Sequence, residues 1–340
     1  MKQGAVVLLS GGLDSTLAVK MMIEQGIAVT AVHFTSPFCN CSSRKAGCRN
    51  EARRVAEEFG VPLRVVVKGM DYLRMVENPP HGHGRGMNPC IDCRIYMLRK
   101  VGGMLDELGA SFVVTGEVLG QRPMSQHRQA IETIDRESGL AGRILRPLSA
   151  HLFPPTLPEE EGIVDRGRLL AISGRSRKPQ IELAEHLGVR DYPCPAGGCL
   201  LTDPDIADRL RDLFAHCPGY AHRDLVLLTI GRHFRMNPDL RVIVGRSQEE
   251  NERIAGLAGP GDALFTPENF RAPTLLAAGE LDPASEGVIA DMITAYSQDD
   301  QETWRIRKEI IGGGTSLLAG MRKGSREAFA ALRIGESRRV

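Results

Sequence analysis

The chain has 340 residues, 42% of them hydrophobic and 25% charged, with 43 Lys and Arg against 42 Asp and Glu. That length accommodates two domains of ordinary globular composition, and a net charge of +1 gives no global argument for nucleic acid. No apolar run approaches the roughly 18 residues of a membrane span, and Met1-Lys2-Gln3-Gly4 leads straight into a strand pattern, so the expectation is a cytoplasmic protein without a signal peptide or membrane contact. Eight cysteines in such a chain are expected as metal ligands or catalytic thiols rather than as a disulfide framework.

The apolar run at 5–9 is followed by Ser10-Gly11-Gly12-Leu13-Asp14-Ser15 and then by a helical pattern over 17–25. Strand, glycine turn and helix place free N–H groups and a positive dipole end where the backbone can approach a ligand closely, which suits a phosphate. Ser10 and Ser15 add hydroxyl donors, and Asp14 is out of place at an anion site unless it positions a metal or a reacting group. The loop lacks the lysine of a Walker A sequence, which disfavours an ordinary P-loop ATPase. A strand at 28–34, a helix at 49–59 closed by Gly60 and a strand at 63–67 complete a βαβαβ order, hence a parallel sheet with ligands beyond the carboxyl ends of its strands.

Cys39, Cys41 and Cys48 fall in the loop after the second strand; their spacing fits no metal-site pattern, and free thiols are expected, with a second metal site as the alternative. Residues 78–89, rich in Gly, Pro and His, are expected as a mobile loop with His81 and His83 facing solvent. The loop delivers Cys90-Ile91-Asp92-Cys93 at the start of a helix that carries Ile95, Leu98, Val101 and Leu105 at helical spacing. This spacing puts both sulfurs on one side of a turn, where zinc, an iron–sulfur cluster and a dithiol are all served. A fourth strand at 112–114 ends in Thr115-Gly116-Glu117-Val118-Leu119-Gly120-Gln121, and a fifth is expected at 144–148. A proline-rich insertion at 151–158 follows, then Gly174-Arg175-Ser176-Arg177-Lys178-Pro179 as a basic entrance to a helix running to His186. Residues 192–202 supply a second pair, Cys194 and Cys199, in a turn stiffened by proline and glycine.

An amphipathic helix at 205–215 and Cys217-Pro218-Gly219 mark the expected boundary. Strands at 225–230, 240–244 and 262–265 with a helix at 249–257 indicate a compact α+β unit beyond it. Residues 301–340 hold nine Lys and Arg against four Asp and Glu, either a phosphate-facing patch or a solvated basic tail.

Ser-Gly-Gly-Leu-Asp-Ser resembles the pyrophosphate loop of ATP pyrophosphatases, which split ATP between its α and β phosphates. Thr-Gly-Glu-x-x-Gly-Gln at 115–121 and Leu-Arg-Pro-Leu at 145–148 resemble the tRNA 4-thiouridine synthetases, here without their THUMP-containing region. Gly86-Met87-Asn88-Pro89-Cys90 and Cys199-Leu200-Leu201-Thr202 are similar to the two catalytic cysteine regions of tRNA 2-thiouridylases. The resemblance covers about residues 4–203. It implies an α/β, Rossmann-like parallel sheet (of the adenine nucleotide alpha hydrolase kind) with helices on both faces over 1–217, and a smaller α+β domain over 218–340 as a candidate tRNA-binding part. The implied activity is ATP-dependent adenylation of a tRNA uridine carbonyl and replacement of its oxygen by sulfur, with C4 favoured. Ser10, Gly11, Gly12, Asp14 and Ser15 would hold the pyrophosphate with Mg²⁺, and Thr115 and Gly116 would border the nucleotide. Asp14, Cys90 and Cys199 would be catalytic. Cys90, Cys93 and Cys199 would carry a 4Fe–4S cluster that accepts sulfide, with Cys194 as the alternate third ligand; tRNA, ATP and sulfide or a sulfur-donor protein are the implied partners. Two alternatives remain: another adenylating ligase or amidotransferase with a structural zinc site, and a non-catalytic zinc-containing RNA-binding protein, which the intact glycine loop argues against.

Overall fold

Val7 and Leu9 pack into the core on one side of the first strand, Val6 and Leu8 into a second core on the other, and all four are buried. A strand covered on both faces belongs at the centre of an α/β sheet. In the computed structural model the described residues are 4–39, 48–192, 199–297, 299, 302–319 and 323–335, and the chain divides into two units, Met1–Leu200 and Leu201–Val340.

The first unit runs β1 (Gly4–Leu8), α1 (Leu13–Glu24), β2 (Ala28–Thr35), α2 (Cys48–Glu58), β3 (Leu63–Val67), α3 (Met70–Glu77), α4 (Cys90–Gly102), β4 (Ala110–Thr115), α5 (Arg128–Ser138), β5 (Ile144–Leu145), the short α6 (Leu157–Glu160) and α7 (Lys178–His186). The sheet order is β3-β2-β1-β4-β5 with every pair parallel. Leu13, Leu17, Ala52, Val55 and Ala184 bring α1, α2 and α7 to one face; Ile95, Leu98, Val101 and Ile134 bring α4 and α5 to the other. The Rossmann-like expectation therefore holds. The order reverses between β1 and β4, so the crevice that such a sheet offers a ligand opens beyond Leu8 and Thr115. The fifth strand stops at Leu145 because Pro147 has no N–H for a ladder.

The second unit runs α8 (Pro204–His216), α9 (His222–Leu228), β6 (Arg232–Asn237), β7 (Leu240–Val244), α10 (Gln248–Leu257), β8 (Ala263–Pro267), β9 (Leu275–Gly279), α11 (Pro283–Ala295), β10 (Arg305–Ile310), β11 (Thr315–Ala319) and β12 (Arg333–Ile334). Its antiparallel sheet has the order β11-β10-β8-β9-β7-β6-β12. Ile289, Met292 and Ile293 of α11 pack on Val242, Phe265 and Trp304, while Leu227 and Ile254 cover the opposite face. The division falls before the expected 217/218 boundary, since Arg209 donates to the Leu228 carbonyl (2.8 Å) and Asp212 pairs with Arg235 (2.6 Å), fixing α8 to α9 and β6. The run 225–230, expected as a strand, is mostly helix. Its capping Asp224 accepts from the Ala221 N–H (2.8 Å), and a short, mostly apolar run serves a buried helix as well as a strand.

Candidate functional site

The turn after β1 is shaped by contacts that only glycine permits. Gly11 has φ +79°, and a Cβ there would lie 2.6 Å from the Glu51 side chain and 2.8 Å from the Ala52 nitrogen. Gly12 is the N-cap of α1 and supplies no side-chain cap, so the first N–H groups of the helix face the crevice beyond β1 unclaimed by a capping side chain. Ser10 and Ser15 close the turn: their hydroxyl oxygens are 3.1 Å apart, the Ser10 N–H donates to Ser15 Oγ (3.2 Å), and the Ser15 hydroxyl donates to the Gly12 carbonyl (2.9 Å).

Asp14 Oδ2 accepts from Gln121 Nε2 (3.1 Å), whereas its buried Oδ1 has no hydrogen-bond partner. Burial lifts its pKa above the ordinary carboxylate value, against the pull of Gln121 and of the Arg177 and Arg122 guanidinium groups. A bare, buried carboxylate oxygen beside a glycine turn that opens a helix is what a Mg²⁺ ion would take as ligand. Gln180, at the start of α7, is completely buried with both amide atoms unpartnered, and it adds a small pull that lowers the Asp14 pKa.

The end of β4 touches the same turn. A Cβ on Gly116 would come within 2.5 Å of the Asp14 backbone, so the two loops are in contact. The Thr115 hydroxyl donates to Glu117 Oε2 (3.2 Å). Glu117 is buried between Arg146 (3.0 Å) and Arg94 (3.3 Å); burial works against its charge, but the two guanidinium groups win and hold its pKa below the usual range. Leaving one partner of such a pair alone costs about 3–5 kcal/mol. Glu117 is thus a fixed post that aligns β4, α4 and Arg146, not a proton carrier.

The thiols stand at the same edge, beyond the carboxyl ends of β2 and β3. Lys68, just after β3, is buried and places Nζ 3.1 Å from the Cys93 sulfur; the Tyr72 hydroxyl lies 3.7 Å from that sulfur and the Tyr72 ring 4.6 Å beneath the ammonium. Burial and the surrounding Cys93, Cys199 and Cys39 sulfurs raise the Tyr72 pKa well above its ordinary value, so all three cysteines neighbour one hydroxyl. Cys199 Sγ faces the Phe38 carbonyl (3.7 Å), with the Leu200 N–H donating to the same oxygen (3.0 Å), and Cys39 follows Phe38 directly. The Cys90 sulfur accepts from Asn88 Nδ2 (3.0 Å); burial raises its pKa while Asn88, Arg94 and Arg122 oppose the shift. Among the described residues no three His, Cys, Asp or Glu side chains are gathered to hold a single metal ion. Cys41 and Cys194 lie outside the described residues, as does the side chain of Cys48.

The segment expected to be mobile is tied down. His81 Nδ1 bonds to Asp92 Oδ1 (2.8 Å), its N–H donates to Asp92 Oδ2 (3.1 Å), and His83 Nε2 donates to the Val76 carbonyl (2.7 Å). Sequence reasoning missed Lys68, Tyr72, Gln180 and the role of Gln121. Of these only Gln121 carried a signal, as the last residue of the 115–121 motif.

Residues 1–151 match the family of thiamine biosynthesis protein (ThiI), and residues 231–316 match the RNA binding domain of NFACT proteins. The tRNA-specific 2-thiouridylase MnmA of Syntrophotalea carbinolica is 34% identical over 119 residues, covering 33% of this chain and 33% of that protein. Its counterpart in Acidothermus cellulolyticus is 28% identical over 232 residues, covering 62% of this chain and 58% of the relative. The chain thus spans between a third and three fifths of the length of these two curated relatives. A 4-thiouridine synthetase solved with RNA and ATP is 23% identical with a TM-score of 0.35, covering 55% of this chain and 52% of that one. No helix among the described residues is long and apolar enough to cross a membrane. Residues 1–151, which carry the glycine turn, Asp14 and all five strands of the parallel sheet, thus match the ThiI family, and the N-terminal part of the chain is similar to the tRNA-specific 2-thiouridylases.

Proposed function

We propose that this protein is an ATP-dependent tRNA sulfurtransferase that adenylates a uridine carbonyl and replaces its oxygen by sulfur, with C4 as the position. One observation carries the reading: the Ser10–Ser15 turn, the Gly116–Gln121 loop and the thiols Cys90, Cys93 and Cys199 all lie beyond the carboxyl ends of one parallel sheet. A phosphate site and a sulfur site on one edge suit two consecutive displacements on a single substrate.

The α1 N-terminus and the Ser10 and Ser15 hydroxyls bind the β and γ phosphates, and Asp14, held by Gln121, fixes the orientation of the turn. Mg²⁺ bound with ATP would take Asp14 Oδ1 and neutralise charge on the departing pyrophosphate. The uracil oxygen attacks the α phosphorus, the bond to the β phosphate breaks, and pyrophosphate leaves. Hydrosulfide then adds to the activated carbon, AMP departs with the former carbonyl oxygen, and loss of a proton leaves the thiocarbonyl. No electrons are exchanged in either step.

Cys90, Cys93 and Cys199 are soft donors at this edge, and Cys93 and Cys199 both act on Tyr72; three thiolates are a donor set that suits a 4Fe–4S cluster with one iron left open. A cluster there would supply an iron that takes up sulfide. Lys68 and Tyr72 hold the Cys93 sulfur in place, and Asn88 does the same for Cys90. The second unit, from its match over 231–316, is the proposed tRNA-capturing part.

The test is the nucleotide product with full-length protein, tRNA and a sulfide source. AMP and pyrophosphate are expected, and Asp14→Ala should lower their formation by at least about 100-fold; ADP as the sole product would overturn the assignment. Chromatography of the digested tRNA against 4-thiouridine and 2-thiouridine standards decides the position. Iron and sulfide analysis of anaerobically purified protein decides the cluster, and stoichiometric zinc without iron in active protein would remove it.

A further inference from the structure

Arg122 lies on the loop that reaches the Asp14 turn and is bonded into neither of the two stations described above. It follows Gln121, whose amide is fixed on Asp14 Oδ2, and its own carbonyl accepts from the Gln126 N–H (3.0 Å). The loop is closed further by Gly120 N–H to the Gln126 carbonyl (2.7 Å) and by Gly174 N–H to the Leu119 carbonyl (2.7 Å), so the backbone carrying Arg122 is held at both ends. The side chain itself is uncommitted. It makes no hydrogen bond or ion pair with any described residue, whereas its neighbour Arg94 is engaged by Glu117 at 3.3 Å.

Although the residue as a whole is exposed, protein crowds its guanidinium. Desolvation and the Arg94 charge push its pKa below the usual arginine value, while Cys90, Asp14 and Glu117 pull the other way. The reciprocal influence reaches both Asp14 and Cys90. A free guanidinium held on a braced loop, crowded by another cation and within range of both the phosphate turn and the first thiol, is costly unless an anion arrives to share it. The anion present in both displacements is the α phosphoryl group: it is attacked in the first and leaves as AMP in the second.

We propose that Arg122 grips the α phosphoryl group of the adenylated uridine, holding it between the phosphate turn and Cys90 and stabilising the charge that gathers on AMP as sulfur attacks. This rests on the adenylation reading above. A planar fork with two parallel N–H donors matches two phosphoryl oxygens, which a lysine point charge does not reproduce.

The experiment compares the wild type, Arg122→Gln and Arg122→Lys as full-length proteins. It measures tRNA-dependent AMP release, thionucleoside formation and AMP binding by calorimetry. Arg122→Gln should lower kcat about 100-fold with the KM for ATP changed only a few-fold, because charge on the α phosphoryl group grows in the transition state. AMP affinity should fall about tenfold, the loss of one charge-assisted contact. Arg122→Lys should restore part of kcat, and the thermal midpoint should not move. If kcat for Arg122→Gln stays within about threefold of the wild type, or if AMP binds both proteins equally, Arg122 is a solvated surface arginine and the proposal fails. Failure of the adenylation reading looks different: the wild type itself then releases ADP or no AMP, and the role of Arg122 falls with it.

Discussion

At the scale of single residues, charge partners decide which side chains are free to work. His81 donates or shares a proton with Asp92, whose carboxylate raises the histidine pKa above its ordinary value with help from Glu137, against a smaller desolvation effect. The folded chain therefore holds this proton more tightly than the unfolded one. The resulting stabilisation is complete below the unfolded histidine value of about 6.5 and is lost as pH rises through the raised folded value. The segment 78–89, which His81 anchors to the first turn of α4, should loosen over that interval. Thermal midpoints between about pH 6 and pH 9 should fall for the wild type with a step that His81→Asn lacks; parallel curves for the two proteins would show that the Asp92 pairing contributes nothing. None of this was legible in the sequence, where two histidines among glycines look solvated, because the partner Asp92 is reached only when the segment folds back on α4. The phosphate turn was legible for the opposite reason. Ser10 to Ser15 are consecutive, and strand, turn and helix are all local.

At the scale of elements, the alternation of strands and helices was readable because β1 to β4 are short runs dominated by Ala, Val, Leu and Phe. The 225–230 run was misread because apolar composition without alternation does not separate a strand from a buried helix. The contact between the end of β4 and the phosphate turn was also invisible, since Gly116 and Asp14 are distant in sequence. That contact is testable. An added Cβ on Gly116 would come 2.5 Å from the Asp14 carbonyl carbon and 2.6 Å from the Ser15 nitrogen, both backbone atoms, so one loop must shift. Gly116→Ala should raise the KM for ATP about tenfold or more by displacing Asp14, as a misplacement of about 1 Å at a positioning residue does. Gly142→Ala is the control for a glycine replacement outside this contact; its φ of +76° makes it at least as strained, yet its nearest neighbour is the Leu157 side chain at 3.5 Å. A Gly116→Ala protein with unchanged KM and kcat would mean that the two loops are not one site.

At the scale of the whole molecule, the function proposed above gives chemistry and substrate capture to different units, and a net charge of +1 conceals a local imbalance. Within the 231–316 match, β10 alternates strictly where it matters: Ile306 is buried against the α11 core, while Arg305 and Arg307 on either side of it point to solvent. Arg307 is engaged by Glu268 (2.9 Å), and Lys308 by Glu286 (2.6 Å), so Arg305 is the less committed of the charges on this strand. If this surface meets tRNA, each guanidinium that neutralises a phosphate releases counterions, and the slope of log affinity against log salt falls by about one for each contact removed. Arg305→Gln combined with Arg307→Gln in the full chain should therefore weaken tRNA binding and flatten that slope by as much as about two between roughly 50 and 200 mM salt. ATP cleavage at saturating tRNA should stay near the wild-type rate, because neither residue belongs to the phosphate turn or the thiol group. An unchanged slope with unchanged affinity would place tRNA capture elsewhere and leave the second sheet without its proposed role, whereas a loss of ATP cleavage at saturating tRNA would show that β10 takes part in more than capture.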